Sequence, residues 1–208
     1  MISRRQRGNK IKAEVEIMWY MIRTATGKEA KVCAWINENL NKKLYSVCFV
    51  PSYENVLRKG GVGHIECRPM MAGYIIIETD EPEMVYKRLK IAPDCYNLLC
   101  RVNKYGDRRE YIGIDEKDGE FLKSILKDGI MRVSYIELTK DHRIGKTIIG
   151  PLEKYRDRIA KIDIHHRRAL ANVPIRGEER RIQFGLWTDM DEKIDWIEEE
   201  KRKASHSK

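Results

Sequence analysis

The first part of the chain places a short apolar segment before a longer amphipathic one. Residues 18–22 (MWYMI) are apolar and bulky, which is typical of a buried strand, and turn-forming residues follow at 24–27. Apolar side chains then recur at helical spacing, which predicts a helix that runs through Lys43. Thr26 is the predicted cap of this helix, paired with Glu29 three residues later. This part therefore predicts a strand followed by a helix.

The next part of the chain has the pattern of extended structure. Residues 46–53 and 54–59 flank the turn formers at Gly60-Gly61, a glycine pair typical of tight hairpin turns. We predict a hairpin whose arms carry polar groups into solvent. Residues 73–78 are the clearest buried strand of the chain.

Two further helices and another strand complete the first half. A short helix is predicted from Pro82 to the apolar residues before Pro93, a strand over 97–102, and a helix over 115–128 with Gly129 just past its end. The predicted order is β α β β β α β α. This order fits an α+β fold, in which helices pack on one face of an antiparallel sheet of ferredoxin-like type.

After Gly129 the pattern changes to short extended segments separated by Gly, Pro and charged turns. Five strands are predicted, over 133–138, 146–149, 158–164, 168–173 and 180–186. So many strands in so few residues indicate a small β-barrel. Residues 189–204 then have the pattern of a helix whose apolar side must cover another surface. Residues 1–15 and 205–208 are expected to be frayed.

These elements divide the chain into five parts. The predicted parts are a basic N-terminal tail (1–16), a first domain (17–130), a linker or first barrel strand (131–142), the barrel (143–190), and a C-terminal helix with its tail (191–208).

The positive charge of the chain is unevenly distributed. The whole chain of 208 residues has a formal net charge of +9, but residues 17–130 are nearly neutral, with 18 Lys and Arg against 16 Asp and Glu. Residues 143–190 contain 11 Lys and Arg against 6 Asp and Glu. Such a concentration favours a polyanion as the partner of the barrel. The alternative is a solubilising surface, and only clustering on one face would separate the two interpretations.

Several classes of protein are disfavoured. The longest apolar run, 74–77, is far too short to span a bilayer, and no signal-peptide pattern follows the basic N-terminus, so we expect a cytoplasmic protein. The sequence lacks Gly-x-Ser-x-Gly, a phosphate-binding glycine loop and His-Glu-x-x-His. We therefore expect no catalytic residues and no cofactor.

The five cysteines indicate reduced thiols. They occur at 33, 48, 67, 95 and 100, without a Cys-x-x-Cys pair, and several lie in apolar segments. Cys95 and Cys100 come nearest to a zinc-binding pair but have no His beside them. We expect buried, unpaired thiols and no metal site.

Several motifs together resemble a known family. The Trp19-Tyr20 strand with Gly27 and Glu29, the Val50-Pro51 dipeptide, and the 68–74 segment (RPMMAGY) are similar to the amino-terminal domain of the bacterial transcription elongation factor NusG. Residues 148–152 (IIGPL) and the 159–169 segment resemble the KOW domain of that family. The resemblance covers about residues 17–190 and looks closer to the specialised antiterminator paralogs of the LoaP type. It implies an SH3-like form for the predicted barrel.

The sequence departs from the family pattern at three places. Met70-Met71-Ala72 replaces the usual Phe-Phe-Pro, and Leu152 replaces the Phe that usually follows Gly-Pro. Methionine is a large, adaptable hydrophobe, so the first change preserves an apolar contact. In NusG the KOW domain binds ribosomal or termination proteins. Because the second change removes the Phe, we do not expect those proteins as partners of this chain. The glycine expected a few residues later is replaced by the charged segment 155–157.

The resemblance implies that the first domain binds RNA polymerase. It would sit on the clamp helices of the largest subunit and hinder the opening that accompanies pausing. This contact requires an exposed apolar surface. The candidate residues are Tyr20, Pro51, Tyr53, Met70, Met71 and Tyr74. Core positions are the alternative for Tyr20 and Tyr74.

The barrel carries the candidate RNA-binding residues. They are Lys154, Arg156, Arg158, Lys161, His165, His166, Arg167, Arg168, Arg176, Arg180 and Arg181. Strand alternation should turn about half of them to any one face. Arginine predominates, and its planar fork suits bidentate contacts to phosphate or guanine. A metal held by the His165-His166 pair is disfavoured, since neighbours on a strand point to opposite faces.

The predicted function is that of a transcription antitermination or elongation factor. It would bind RNA polymerase through its first domain and a nascent RNA hairpin through its KOW domain, acting as a monomer and promoting read-through of terminators and pauses. The alternative is a ribosome-associated or general RNA-binding KOW protein without polymerase binding.

Overall fold

The structure is a computed structural model that describes residues 18–92, 97–102, 106, 109–140, 144–175 and 178–206. The strands are β1 (Met18–Arg23), β2 (Val47–Phe49), β3 (Ser52–Lys59), β4 (Val62–Pro69), β5 (Tyr74–Thr79), β6 (Asn97–Leu98), β7 (Cys100–Val102), β8 (Arg109–Tyr111), β9 (Ile130–Met131), β10 (Ser134–Leu138), β11 (Ile144–Ile149), β12 (Ile159–Asp163), β13 (Arg168–Ile175) and β14 (Glu178–Thr188). The helices are α1 (Glu29–Asn39), α2 (Pro82–Lys90), α3 (Glu116–Ile125) and α4 (Asp195–His206), and a 3-10 helix spans Pro151–Arg158.

The first half is built on a four-stranded antiparallel sheet with the order β2-β5-β1-β6. In the register of β1 and β5, Ile22 lies opposite Ile75 and Tyr20 opposite Ile77, so these four side chains share one face. Helices α1 and α2 add Ile36 and other apolar residues to the same buried cluster. The predicted α+β fold, with helices packed on one face of an antiparallel sheet, is confirmed.

Helix α1 differs from its prediction at both ends. It begins at Glu29 and ends at Asn39, and Thr26 does not cap it. The carboxylate of Glu29 is buried and accepts a hydrogen bond of 2.6 Å from the backbone N–H of Gly73. Burial raises the pKa of Glu29, but backbone hydrogen bonds, that of Gly73 first, outweigh burial and hold the pKa below its ordinary value. Glu29 therefore joins the start of α1 to the turn before β5 instead of completing a local cap.

The segment predicted as one strand over 46–53 is divided between two sheets at Val50-Pro51. Strand β2 pairs with β5, whereas β3 pairs with β4 and, in parallel, with β9. Proline has no N–H to donate to a continuous ladder, which suits it to the point where the chain changes sheets. Gly60 and Gly61 have φ of 60° and 87°, as a type I′ turn requires, so the predicted turn is confirmed. Its arms are β3 and β4, whereas the prediction placed one arm over 46–53.

The second half contains a five-stranded sheet with the order β11-β10-β14-β13-β12. These strands occupy the five predicted segments, within a few residues at each end. Strand β10 belongs to this sheet, so residues 131–142 contain its first strand. The 3-10 helix was not predicted, and it buries Leu152 completely against the sheet.

The two halves share a core. Ile125 of α3 and Met131 of β9 pack in one buried cluster with Ile136, Leu152 and Phe184, so apolar contacts cross the predicted boundary at residue 130. The backbones also approach closely, because a Cβ atom at Gly185 would lie 2.5 Å from the carbonyl oxygen of Glu54. Only glycine allows β14 to lie so near β3.

Glu54 fixes this contact with its side chain. Its buried carboxylate accepts hydrogen bonds of 2.8 Å from the backbone N–H of Val133 and from Nη1 of Arg132. The strand of the hairpin is thereby tied to the segment that enters the five-stranded sheet.

The apolar side of helix α4 packs against the rest of the protein, as its sequence pattern predicts. Ile197 packs in a buried cluster with Val56, Tyr135 and Trp187. The helix begins at Asp195 and not at 189, because the residues before it form a turn in which Asp191 accepts from the N–H and the hydroxyl of Thr188. The helix extends to His206, whereas fraying was expected from residue 205, and residues 1–17 and 207–208 lie outside the described residues.

The four described cysteines are free. Cys33 and Cys48 are buried, Cys100 is half-buried and Cys67 is exposed, so the expectation of buried thiols does not hold for Cys67. Cys95 lies outside the described residues. Within the described ranges, no helix has both the length and the apolar character needed to cross a membrane.

Arg167, in the turn between β12 and β13, forms a fully buried ion pair. Its Nη2 donates to Oδ1 of Asp191 at 2.8 Å, with 0% of the Arg167 side chain and 2% of the Asp191 side chain exposed. The backbone of Arg167 has φ of 49°, an uncommon value for a residue other than glycine. Removal of one partner from such a pair strongly destabilises the folded protein, because the remaining charge stays buried without a counter-charge.

Asp191→Ala should therefore lower the free energy of unfolding by about 3 to 5 kcal/mol, because it leaves the Arg167 guanidinium unneutralised in the interior. Glu192→Ala is the matched control, since it removes an exposed carboxylate from the neighbouring position. Urea denaturation followed by circular dichroism measures both. Equal losses in the two variants would show that the buried pair contributes no more than surface charge.

Candidate nucleic-acid interface and apolar surface

A groove of about 770 Å³ lies between the β3–β4 hairpin and the five-stranded sheet, and we call it the hairpin groove. Arg58 and Arg68 line it from the hairpin. His165, His166, Arg168 and Gln183 line it from the sheet and its 164–167 turn. Three arginines and two histidines thus meet around one concave surface.

The 164–167 turn is ordered by Asp163 at the end of β12. The carboxylate of Asp163 accepts from the backbone N–H of His166 at 3.0 Å and lies 2.9 Å from its Nδ1. Arg168 donates to the same carboxylate at 3.3 Å. The hydrogen bonds from His166, backbone first, lower the pKa of Asp163 to about 2. The carboxylate is therefore ionised at neutral pH and holds both basic side chains in place.

The two histidines lie in this turn and not on a strand. Their rings meet edge to face, with centroids 5.0 Å apart, and both side chains line the hairpin groove. The expectation that they point to opposite faces was therefore wrong. Among the described residues, no group of three His, Cys, Asp or Glu side chains gathers as metal ligands would.

The outer face of the five-stranded sheet continues the positive surface. In the strand register, Lys161 lies opposite Leu170, Leu170 opposite Gln183, and Arg181 opposite Asn172. Directly opposite residues share a face, so Lys161, Arg168 and Arg181 lie on the same side as Gln183 of the groove, together with the carboxylates of Asp163 and Glu179. We call the three basic residues the basic face.

The other candidate RNA-binding residues take different positions. Lys154 donates to the carbonyl oxygen of Ser124, and Arg156 donates to that of Gly145. Arg158 pairs with Glu179 at 3.4 Å and Arg180 with Glu178 at 3.1 Å. Arg176 lies outside the described residues.

Arg167 requires a correction as an RNA-binding candidate. Its side chain is completely buried in the ion pair with Asp191, so it cannot reach a ligand at the surface. The run His165-His166-Arg167-Arg168 gives no local sign that one of its four basic residues turns inward.

Sequence reasoning missed Arg58 and Arg68. Arg58 was assigned to an arm of the predicted hairpin and Arg68 to the segment that leads into the buried strand, and neither assignment indicates which surface the side chain meets. Their position opposite the 164–167 turn depends on the packing of β3 along β14, a contact between residues more than a hundred positions apart.

The six candidate polymerase-binding residues do not form one exposed patch. Tyr20 is buried in the core of the first half, where burial raises its pKa, and Pro51 is buried as well. Tyr53 and Met70 are half-buried and pack against the core shared by the two halves. Met71 is half-buried in the turn before β5, and Tyr74 is half-buried as the first residue of that strand.

The turn that carries Met71 and Tyr74 is fixed by its neighbours. Gly73, with φ of 80°, donates to Glu29 and accepts from the N–H of Thr24 at 2.9 Å. Tyr74 donates its N–H to the carbonyl oxygen of Met71 at 3.2 Å. These contacts hold both side chains at the end of the four-stranded sheet.

Comparison with known proteins shows a family similarity for the first half of the chain. Residues 18–118 match the family model described as "Transcription termination factor nusG". No curated protein matches the chain. A solved structure titled "Domain interaction in Thermotoga maritima NusG" is 18% identical, covers 82% of this chain and 94% of its own, and superposes with a TM-score of 0.42. That superposition is too loose to bear on function. The family match therefore shows that residues 18–118, just under half of the chain, are similar to the NusG family of transcription factors.

Proposed function

We propose that the protein is an antitermination factor of the LoaP type, which binds RNA polymerase through its first half and a nascent RNA hairpin through its second half. The observation that carries the RNA part is the basic face, which joins Lys161 and Arg181 to Arg168 beside the hairpin groove. Clustering on one face separates a binding surface from a merely solubilising one.

The chemistry of the basic face suits RNA. Arginine and lysine neutralise backbone phosphates, and the arginine fork can contact two oxygens of one phosphate or the edge of a guanine. The exposed histidines beside it offer flat rings on which unpaired bases of a loop can stack. A hairpin presents both features, since its stem supplies phosphates and its loop supplies unstacked bases.

The apolar turn at Met71 and Tyr74 supports the polymerase contact. Methionine adapts its shape to a partner surface, and tyrosine adds area with a polar end. Because Glu29 fixes the turn, these two side chains present a preorganised surface. We propose that it meets the clamp helices of the largest polymerase subunit.

A KOW protein that binds RNA without polymerase is the second candidate. It would also use the basic face, but it gives no reason for the family match over residues 18–118. The two functions differ in whether the apolar turn is needed.

Lys161→Ala combined with Arg181→Ala should lower the affinity for RNA and make that affinity less dependent on salt concentration. Loss of two phosphate contacts should reduce the log–log slope of affinity against salt by about 1.5. The matched control is Arg158→Ala with Arg180→Ala, which removes the same number of positive charges from residues outside the basic face. Fluorescence anisotropy with a labelled RNA stem-loop measures both pairs, and equal effects would contradict the assignment of the face.

Met71→Asp should weaken binding to RNA polymerase by about tenfold or more, because it places a charge in an apolar contact. RNA affinity should be unchanged. Met84→Asp is the control, since Met84 is an exposed methionine on α2. Biolayer interferometry with immobilised core polymerase provides the measurement. Loss of RNA binding with polymerase binding intact would exclude this role for Met71.

Addition of the protein to a transcription reaction should increase read-through of an intrinsic terminator. The template should encode an RNA stem-loop upstream of the terminator, and run-off and terminated products should be separated on a gel. Met71→Asp should abolish the increase, while Met84→Asp should retain it. Unchanged or reduced read-through with the wild-type protein would argue against antitermination.

A further inference from the structure

We infer that the RNA stem-loop is bound in the hairpin groove by both halves of the protein, with Arg58 and Arg68 of the β3–β4 hairpin contacting the RNA opposite His165, His166 and Arg168. This inference rests on the proposed function and assigns to the first half a direct share in RNA recognition.

The charge of the groove favours a phosphate backbone. Its described lining contains three arginines and two histidines and no carboxylate. By contrast, the groove between α3 and α4 is lined by Glu153, Glu199 and Glu200 as well as by basic residues. Glu66 and Asp163 pair with two of these arginines from outside the lining, but the charged groups that face the groove itself are basic, which favours entry of a polyanion.

Carboxylates hold the groove arginines in defined positions. Glu66 accepts from Nε of Arg68 at 2.8 Å and lies 2.7 Å from its Nη2, and Asp163 holds Arg168. Arg58 donates from Nη2 to the carbonyl oxygen of Gly61 at 2.9 Å. About half of the Arg68 side chain and two fifths of the Arg168 side chain are exposed, so both guanidinium groups remain accessible to a ligand.

The polar lining offers more than charge. Asn55 and Gln183 place amide groups in the same groove, and amides can pair with the edges of bases. The paired rings of His165 and His166 lie beside them. A volume of about 770 Å³ accommodates one or two nucleotides, so we assign the groove to unpaired loop nucleotides and the basic face to the stem.

The groove exists because the hairpin is docked on the sheet. Gly63 leaves room for the ring of Trp187, Gly185 admits the backbone of Glu54, and Val56 is buried between them. RNA that contacts both walls must therefore bind more tightly to the docked arrangement than to any other. A single-domain RNA binder would show no dependence on the hairpin.

Arg58→Ala with Arg68→Ala in the full chain tests the inference. Affinity for a pool of RNA stem-loops with a randomised loop should fall about tenfold, and the log–log salt slope should decrease by about 1.5. Lys87→Ala with Arg88→Ala is the matched control, because it removes two exposed basic residues from α2, and Lys87 is paired with a glutamate as Arg68 is. This control should change affinity less than about twofold. Arg58→Lys with Arg68→Lys should retain the salt slope and regain part of the affinity.

The outcomes separate this inference from the proposed function. If the hairpin variant binds RNA as well as the wild type while Lys161→Ala with Arg181→Ala loses affinity, the basic face stands and the groove assignment is wrong. Equal losses in the hairpin variant and its α2 control would also overturn the assignment. Tighter binding of a DNA stem-loop of the same sequence would overturn the choice of RNA. Absence of RNA binding by the wild type would contradict both proposals.

Discussion

The contact between β3 and β14 is the constraint on which the rest of the structure depends. Gly185 lets the carbonyl oxygen of Glu54 approach to a distance that a side chain would forbid, and the Glu54 carboxylate then holds Val133 at the entrance to the second sheet. Because β3 also pairs with β4 and β9, one strand belongs to the hairpin, to the first half and to the surface of the second half. The shared core and the hairpin groove both follow from this one approach.

Much of the fold could be predicted because its signals are local. Strand β5 is a run of branched apolar residues, the Gly60-Gly61 turn fixes its own hairpin, and the five later strands are separated by turn-forming residues. The helices α2 and α3 carry recognisable starts at Pro82 and Asp115, whose carboxylate accepts from the N–H of Lys117. Each of these features is determined by neighbours a few residues away.

The errors have the opposite origin, since each involves a partner far away in the sequence. Thr26 and Glu29 have the spacing of a capping pair, yet Glu29 finds a stronger partner at Gly73, 44 residues later. Arg167 looks like one more basic surface residue until Asp191 is placed beneath it. The positions of Arg58 and Arg68 in the hairpin groove depend on the docking of two sheets. Local patterns describe strands and turns well, but they cannot say which charged group another part of the chain will bury.

The inward course of Arg167 has a consequence for its neighbours in the chain. The buried side chain of Arg167 fixes the backbone of the turn. His165, His166 and Arg168 are therefore oriented before any ligand binds. Side chains that are ordered during folding lose less conformational freedom when they later bind. In the proposed complex, the buried Arg167 would therefore make its exposed neighbours more selective for the shape of the RNA.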